Sequence, residues 1–367
     1  METSSVLPDT FDQTQCNYCG TILWICVCVA TTLVTVLGNV LTMLAILLSK
    51  RLSSMMANFF VFSLAVSDLL VGFSIPYHML FYTTGFGSGK TSCLLRFVFT
   101  SFACASSISN LLVIAMDRYV AIVYPLHYSR FMTKKRVCFL IATGWVTATT
   151  MASVPLIWND WHEGVRCELV HVVPHNFLAW VVCPTFALTW TAMLLLYSRI
   201  CREANGHVKR IRETTGTGVQ DGQAMYPTTR DSKSFQLTLM ILGCFTVCWL
   251  PYFVVTMYLH ELIPNLYEIS LNLAMANSSM NPLIYAWKNT NFRKAFLCLL
   301  KCRTPDDIQR YITDHVPSKR SSTNNIVGCL KNECSEMHRK QAKSEYFADH
   351  CSQGRYDSTY ETVISIN

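Results

Sequence analysis

The stretch CLLRFVFTSFACASSISNLLVIAMDRYVAIV (93–123) is apolar over most of its length and long enough to cross a bilayer. A helix needs about 20 mainly apolar residues to span the hydrocarbon. Further stretches of that kind occupy residues 22–48, 57–82, 136–157, 175–198, 235–259 and 267–287. They lack the ten-residue apolar and polar alternation of a membrane β-barrel. The sequence therefore predicts an all-α membrane protein built as a bundle of seven transmembrane helices.

The composition also indicates a membrane protein. Of the 367 residues, 51% are hydrophobic and 14% are charged, whereas a soluble domain carries about a quarter charged residues. Basic residues concentrate in the segments after the first, third and fifth spans, as in Lys50, Arg51, Arg130, Lys134, Lys135, Arg136, Arg202, Lys209, Arg210 and Arg212. Lys and Arg are retained on the cytoplasmic side, which predicts an outer N-terminus and an inner C-terminus. The net charge of +7 is therefore explained by basic residues that set the orientation in the membrane and attract anionic lipid. It does not imply a nucleic acid partner.

The chain divides into four predicted parts. They are an extracellular N-terminus (1–21), the bundle (22–287), an amphipathic helix on the inner membrane surface (289–302) and a disordered cytoplasmic tail (303–367). The short helix has apolar residues at helical spacing with basic residues between them. Cys298 and Cys302 could be palmitoylated there, and unmodified thiols are the alternative. The polar segment 206–233 is predicted to be mobile.

Polar side chains inside the spans mark candidate functional sites, because burying them in hydrocarbon is costly. Asp68, in SLAVSDLL (63–70), lies near the middle of the second span. A small cation or a titrating proton at Asp68 is the favoured interpretation, and a polar network that only joins helices is the alternative. Other polar side chains at similar depth are Asn39, Ser107, Trp249, Asn277, Ser278 and Asn281.

Six motifs follow one another in register along the spans. They are the Asn of LGNVL, SLAVSDL, DRY (117–119), Trp145, CWLP (248–251) and NPLIY (281–285). Together they resemble the rhodopsin-like (class A) G-protein-coupled receptors over about residues 20–302. The resemblance implies a plasma-membrane receptor, not an enzyme, that couples to a heterotrimeric G-protein and to arrestin. It also implies a disulfide between Cys93 and Cys167, on the oxidising side of the membrane.

The resemblance assigns a switch at the inner end of the bundle. Arg118 is expected to pair with Asp117 and Asp231 until the sixth span swings outward, and Tyr197 and Tyr285 are expected to approach it afterwards. An ion pair that only anchors the third span is the alternative. The toggle and kink residues of the sixth and seventh spans are expected to be Trp249, Pro251 and Pro282.

A sodium site is expected around Asp68, because a hard cation prefers oxygen ligands. The predicted ligands are Asp68, Ser107, Asn277 and Asn281, with Na⁺ as an allosteric ion and no other cofactor. The runner-up function is a seven-helix transporter or channel that uses Asp68 as an ion relay. A constitutively active receptor without a ligand is a third possibility. The Asp117–Arg118 pair and the basic inner segments favour the receptor.

The segments PLIWNDW (155–161) and CELVHVVPHNF (167–177) resemble adenosine receptors, but the residues that hold the nucleoside there are absent. Amine receptors carry an aspartate where this chain has Thr100, and opsins carry a lysine where it has Met275. A neutral, partly apolar small molecule is therefore the predicted ligand. The predicted pocket consists of Tyr77, His78, Thr100, Ser101, Cys104, Leu169, Tyr252, Phe253, Thr256, Tyr267 and Met275.

Overall fold

The computed structural model describes residues 9–84, 89–165, 167–214, 229–259 and 264–305, with side chains over a smaller part of these ranges. The described residues form helices and connecting turns, and no β-strand occurs among them. The helices that carry the fold are α1 (Asp9–Leu48), α2 (Ala57–Thr84), α3 (Lys90–Val123), α4 (Lys134–Ile157), α5 (Cys183–Thr214), α6 (Thr229–Val254), α7 (Pro264–Lys288) and α8 (Thr290–Leu300).

Shorter helical turns connect or extend these helices. π-helical turns at Leu178–Val182 and Val255–Leu259 lead into α5 and continue α6. π-Turns inside helices occur frequently at functional sites. The remaining short turns are Lys50–Ser53, Pro125–His127, Tyr128–Phe131, Leu169–Val172 and His175–Phe177.

Within the described ranges, six helical segments are long and apolar enough to cross a membrane: Thr21–Leu48, Ala57–Phe81, Lys90–Val123, Lys134–Ile157, His175–Glu203 and Leu239–Tyr258. Helix α7 has 25 residues, but its mean hydropathy is lowered by polar side chains. Those side chains include Asn272, Asn277, Ser278, Ser279 and Asn281. The apolar spans confirm a helical, multi-pass membrane protein.

Six helices form a closed ring, in which α1 packs against α2, α2 against α3, α3 against α5, α5 against α6, α6 against α7, and α7 against α1. Helix α4 packs against α3 on the outside of this ring. Helices α1, α4 and α5 leave large aliphatic side chains such as Leu37, Val146 and Leu195 exposed, as a lipid-facing surface requires. The inward faces of α2 and α3 carry the buried polar residues of the candidate sites.

Several helix ends differ from the sequence expectation. Helix α1 begins at Asp9, inside the segment 1–21 predicted to be an extracellular tail. Helix α5 continues to Thr214 and α6 begins at Thr229, so both enter the segment 206–233 predicted to be mobile. Once a helix is nucleated, adding further residues costs little, so an apolar span extends into polar sequence. Residues 215–228 and the predicted tail after residue 305 lie outside the described residues.

Helix α8 lies inside the predicted range 289–302. The Asn289 side chain accepts hydrogen bonds from the N–H groups of Asn291 and Phe292, which satisfies free donors of the first turn. Phe292, Ala295 and Phe296 are buried on one face of α8. Cys298 is partly exposed and Cys302 is exposed just after the helix.

Candidate functional site

A buried ion pair occupies the inner end of α3. Arg118 Nη2 lies 2.8 Å from Asp117 Oδ2, and the Tyr128 hydroxyl donates a hydrogen bond of 2.8 Å to Asp117 Oδ1. Asp117 exposes 1% of its side chain, whereas Arg118 exposes 24%. Burial and the Asp117 carboxylate raise the pKa of the Tyr128 hydroxyl, so Tyr128 remains a donor at physiological pH. Arg118 is therefore held by Asp117 but stays accessible from the inner side.

The structure describes the side chains of two of the three other predicted switch residues. Tyr197 of α5 and Tyr285 of α7 are both buried, and the Tyr285 ring stacks on Phe292 of α8 at 5.3 Å. The Tyr285 hydroxyl has no hydrogen-bond partner among the described residues. The side chain of Asp231, the predicted acid in α6, lies outside the described residues.

Asp68 is fully buried in the middle of the bundle. Its Oδ1 accepts a 2.6 Å hydrogen bond from Ser107 Oγ, and its Oδ2 accepts a 2.7 Å bond from Asn281 Nδ2. The cluster therefore joins α2, α3 and α7. Asn277 Nδ2 is buried without a hydrogen-bond partner among the described residues. Three of the four predicted sodium ligands thus come together.

The chemistry of this cluster suits a hard cation. Asp68 supplies a carboxylate and Ser107 a hydroxyl oxygen. Rotation of the Asn281 amide would present its oxygen, in place of its nitrogen, to a cation beside Asp68. The residues could therefore provide three oxygen ligands to Na⁺.

The outer end of α3 is tied to the following loop. Cys93 and Cys167 form a disulfide with Cα atoms 5.8 Å apart, which confirms the predicted pairing. Arg96 donates a hydrogen bond to the Cys167 carbonyl oxygen, and its guanidinium lies 4.0 Å from the Phe81 ring centroid and 4.5 Å from that of Phe97. Sequence reasoning missed Arg96, although a charged residue inside an apolar run was the available signal.

A cavity of about 180 Å³ lies between α3, α4, α5 and α6, and Leu271 of α7 completes its wall. Phe186 and Phe253 stack in its wall with ring centroids 3.7 Å apart. Trp249 lies below them, and its Nε1 has no hydrogen-bond partner among the described residues. Of the predicted pocket residues, six line the cavity: Thr100, Ser101, Cys104, Leu169, Tyr252 and Phe253.

The other five predicted pocket residues do not line this cavity. Tyr77 lines a separate apolar groove with Phe99, and Met275 lies near Ser74, whose hydroxyl is 3.8 Å from its sulfur. Thr256 is buried beyond the cavity in the π-helical turn of α6. Tyr267 contacts Tyr252 with ring centroids 5.9 Å apart. The helical spacing in a sequence does not determine how each helix is rotated about its own axis in the bundle. That rotation decides which of the predicted side chains face the cavity.

His78, the fifth of these residues, is paired with an acid that sequence reasoning did not consider. Its Nε2 lies 2.9 Å from Oε2 of Glu268 at the outer end of α7. Lower in the bundle, Trp190 Nε1 donates a 3.1 Å hydrogen bond to Thr246 Oγ1 and joins α5 to α6. The signal for Glu268 was an acid at the edge of an apolar span.

Comparison with known proteins identifies the family. The family model described as "7 transmembrane receptor (rhodopsin family)" matches residues 38–285. The histamine H2 receptor of Canis lupus familiaris is 31% identical over 327 residues, which cover 85% of this chain and 86% of that protein. The histamine H2 receptor of Cavia porcellus is 32% identical over 287 residues, covering 74% and 77%. The D(1)-like dopamine receptor of Takifugu rubripes is 29% identical over 316 residues, covering 73% and 68%.

These relatives correct the finer part of the sequence interpretation. They are histamine and dopamine receptors, so they do not support the nearness to adenosine receptors inferred from residues 155–161 and 167–177. The broader resemblance is confirmed, because the family match covers more than half of the chain. The chain is therefore a G-protein-coupled receptor of the rhodopsin family, and not an enzyme.

Proposed function

We propose that the protein is a plasma-membrane receptor with seven transmembrane helices, an outer N-terminus and an inner C-terminus. Helix α7 serves as the seventh span, because it packs between α1 and α6 in the ring of otherwise apolar helices. Helix α8 serves as an eighth helix on the inner membrane surface. The orientation is supported by the basic residues that follow α1 and α3 and by those in the inner part of α5.

The receptor signals to a heterotrimeric G-protein through the inner end of α3. The observation that carries this proposal is the Asp117–Arg118 pair at 2.8 Å, with Arg118 still partly exposed. Outward movement of α6 would open a cleft beside Arg118 and allow it to contact the G-protein. Pro251 provides a pivot, because it donates no hydrogen bond within α6. Tyr197, Tyr285 and Asp231 complete the proposed switch.

The ligand is a small extracellular molecule held in the cavity beside Trp249. The cavity is lined by aromatic rings, aliphatic side chains and hydroxyl groups, which suit an aromatic ligand portion. The disulfide between Cys93 and Cys167 holds Leu169 against this space. Relatives named for histamine and dopamine favour an amine over the neutral ligand predicted from the sequence.

Further partners are proposed at the membrane and in the cytoplasm. Na⁺ binds at Asp68, Ser107 and Asn281 in the inactive receptor, with Asn277 as a further candidate. Arrestin binds the inner face and the tail after phosphorylation. Palmitoyl chains on Cys298 and Cys302 anchor α8, since both thiols are at least partly exposed. The basic inner segments contact anionic lipid.

An ion-coupled transporter or channel is a weaker candidate. Asp68 is closed in by hydrogen bonds from Ser107 and Asn281, and such a relay would need a continuous polar path on both sides of it. Neither a relay nor a pore explains the Asp117–Arg118 pair. A receptor that is active without ligand stays an alternative within the same class, and basal signalling would reveal it.

The test replaces Arg118 in cells that express a panel of G-protein dissociation sensors. Arg118→Ala should abolish basal and ligand-induced dissociation while preserving surface expression, because Tyr128 still donates a hydrogen bond to the buried Asp117 carboxylate. Lys135→Ala is the matched control, since it removes one exposed positive charge on the same side. Normal coupling by Arg118→Ala would refute the proposed mechanism.

A further inference from the structure

The outer ends of α2 and α7 hold an ionisable pair beside the cavity. His78 Nε2 and Glu268 Oε2 are 2.9 Å apart, with side-chain exposures of 3% and 16%. An ionised carboxylate accepts hydrogen bonds and donates none, so His78 carries the proton on Nε2. His78 Nδ1 is buried without a partner among the described residues. Glu268 is therefore held by a buried histidine while part of its carboxylate remains accessible.

Glu268 lies about one helical turn from a residue of α7 that lines the cavity. Leu271 lines the cavity and follows Glu268 by three residues, a spacing that puts both side chains on one helix face. The neighbouring Tyr267 contacts Tyr252, which also lines the cavity. A ligand in the cavity could therefore extend along this face of α7 to the Glu268 carboxylate.

Other acidic groups do not offer the same position. The cavity lining, as far as the structure describes it, includes no aspartate or glutamate. Asp160, Glu163 and Glu168 are exposed on the loop between α4 and α5, and Glu261 lies outside the described residues. Among the described acidic residues at the outer end of the bundle, Glu268 is the one that is partly buried and contacts a neighbouring helix.

Neighbouring charges leave Glu268 available to a cation. Arg96 is the buried cation at this end of the bundle, but its guanidinium is engaged by the Cys167 carbonyl and by the rings of Phe81 and Phe97. Within the described side chains, the ion pair of Glu268 is the one with His78. Part of the Glu268 carboxylate is exposed beside His78, so a ligand cation could approach it.

We propose that Glu268 is the counter-ion for the ammonium group of a small aromatic amine whose ring occupies the cavity. This proposal rests on the proposed receptor function and deepens it by naming the ligand class. Histamine and dopamine, the ligands named for the relatives, both carry an amine that is protonated at neutral pH. Thr100 provides no charge for such a group, and Glu268 does. His78 is a positioning residue that orients the carboxylate.

The test uses histamine, dopamine and the neutral N-acetyl derivative of each as probes, with G-protein dissociation as the readout. Wild-type receptor should respond to at least one amine and not to its N-acetyl form. Glu268→Gln should raise the half-maximal concentration at least about thirtyfold, because loss of one partner of a buried charge pair is costly. Glu268→Asp should lose less potency, because it keeps a carboxylate. Glu163→Gln is the matched control, since it removes an exposed acid from the same end of the molecule and should leave potency unchanged.

Two outcomes of the G-protein assay overturn the proposal while the receptor function stands. One is Arg118-dependent G-protein activation with no amine response, or with an equal response to the N-acetyl forms. The other is unchanged amine potency in Glu268→Gln at normal surface expression. Thermal unfolding of purified wild-type protein with each probe measures binding without a G-protein, so it decides the amine question even if coupling fails. No change in midpoint with either amine would overturn the proposal, and absence of all G-protein activation would instead refute the proposed function.

Discussion

At the residue scale, three charged side chains are buried among the described residues of the bundle, and each has specific partners. Asp68 accepts hydrogen bonds from Ser107 and Asn281. Asp117 is paired with Arg118 and Tyr128. Arg96 is held by the Cys167 carbonyl and two aromatic rings. Because a buried charge without a partner is strongly destabilising, these contacts explain how the bundle accommodates charge at its outer end, middle and inner end.

The proposed sodium site gives a prediction for Asp68. Substitution Asp68→Asn retains the shape of the side chain but removes the charge that would hold Na⁺. If Na⁺ stabilises the inactive receptor, NaCl should weaken agonist binding to the wild type by about 5- to 150-fold, the usual range of allosteric coupling. Asp68→Asn should abolish this effect. The measurement is agonist affinity against NaCl concentration, or basal G-protein activation if no agonist is known.

Two controls separate sodium binding from ionic strength and from general loss of charge. Choline chloride keeps the ionic strength constant with a cation too large for the Asp68 cluster. Asp160→Asn removes an exposed acid and should retain the sodium response. A wild type without a sodium-specific response, or an Asp68→Asn variant that keeps one, would show that Asp68 is not an ion site.

At the element scale, α1 packs closely against its neighbours through glycine. A Cβ atom added at Gly38 would lie 2.9 Å from Pro282 Cγ of α7, and one added at Gly72 of α2 would lie 2.9 Å from Val36 Cγ2 of α1. Distances below 3.0 Å require movement of one partner, and the proline ring is stiff. Small residues at such positions are typical of helix packing in membranes.

Substitution Gly38→Ala should therefore destabilise the receptor by separating α1 from α7. Overpacking typically costs about 1 to 3 kcal/mol, so the midpoint of thermal unfolding should fall in purified, detergent-solubilised protein. Gly243→Ala is the matched control, because a Cβ atom there meets no atom within 4 Å and alanine favours a helix by about 1 kcal/mol. A midpoint of Gly38→Ala that is equal to or higher than that of Gly243→Ala would contradict the close contact between α1 and α7.

The sequence predicted which elements exist better than where they end. Apolar runs identified the spans because hydrocarbon requires about 20 apolar residues. The same runs did not reveal that α1 begins at Asp9 or that α5 reaches Thr214, because a helix continues into water without an apolar requirement. The π-helical turn Val255–Leu259 was also unforeseen, since it depends on packing beyond the hydrophobic pattern.

At the scale of the whole molecule, the disulfide and α3 connect the outer loop to the cavity. Cys167→Ser should reduce surface expression and ligand response, because Leu169 would no longer be held in the cavity wall. Removal of a native disulfide commonly costs about 2 to 5 kcal/mol in small domains. Cys201→Ser, in the inner half of the molecule and without a disulfide, is the matched control. Surface expression and ligand response equal to those of the wild type would refute this role of the bridge.

The sequence predicted the receptor family of the protein but not the class of its ligand. The motifs around Asp68, Arg118 and Pro282 identified the receptor family, because they occur in register with the spans. The ligand class did not follow, because Thr100 removed the expected acid and the rotation of α7 beside His78 could not be read from periodicity. Glu268 became a candidate when the structure placed it beside His78.

The central claim is that the protein activates a heterotrimeric G-protein through Arg118. Its most direct test is the rate of GDP release from purified heterotrimers mixed with the purified receptor in lipid nanodiscs. The wild type should accelerate GDP release from at least one heterotrimer class, alone or with an amine probe, and Arg118→Ala should not accelerate it. Release that stays at the receptor-free rate for every heterotrimer, or equal acceleration by Arg118→Ala, would contradict the claim.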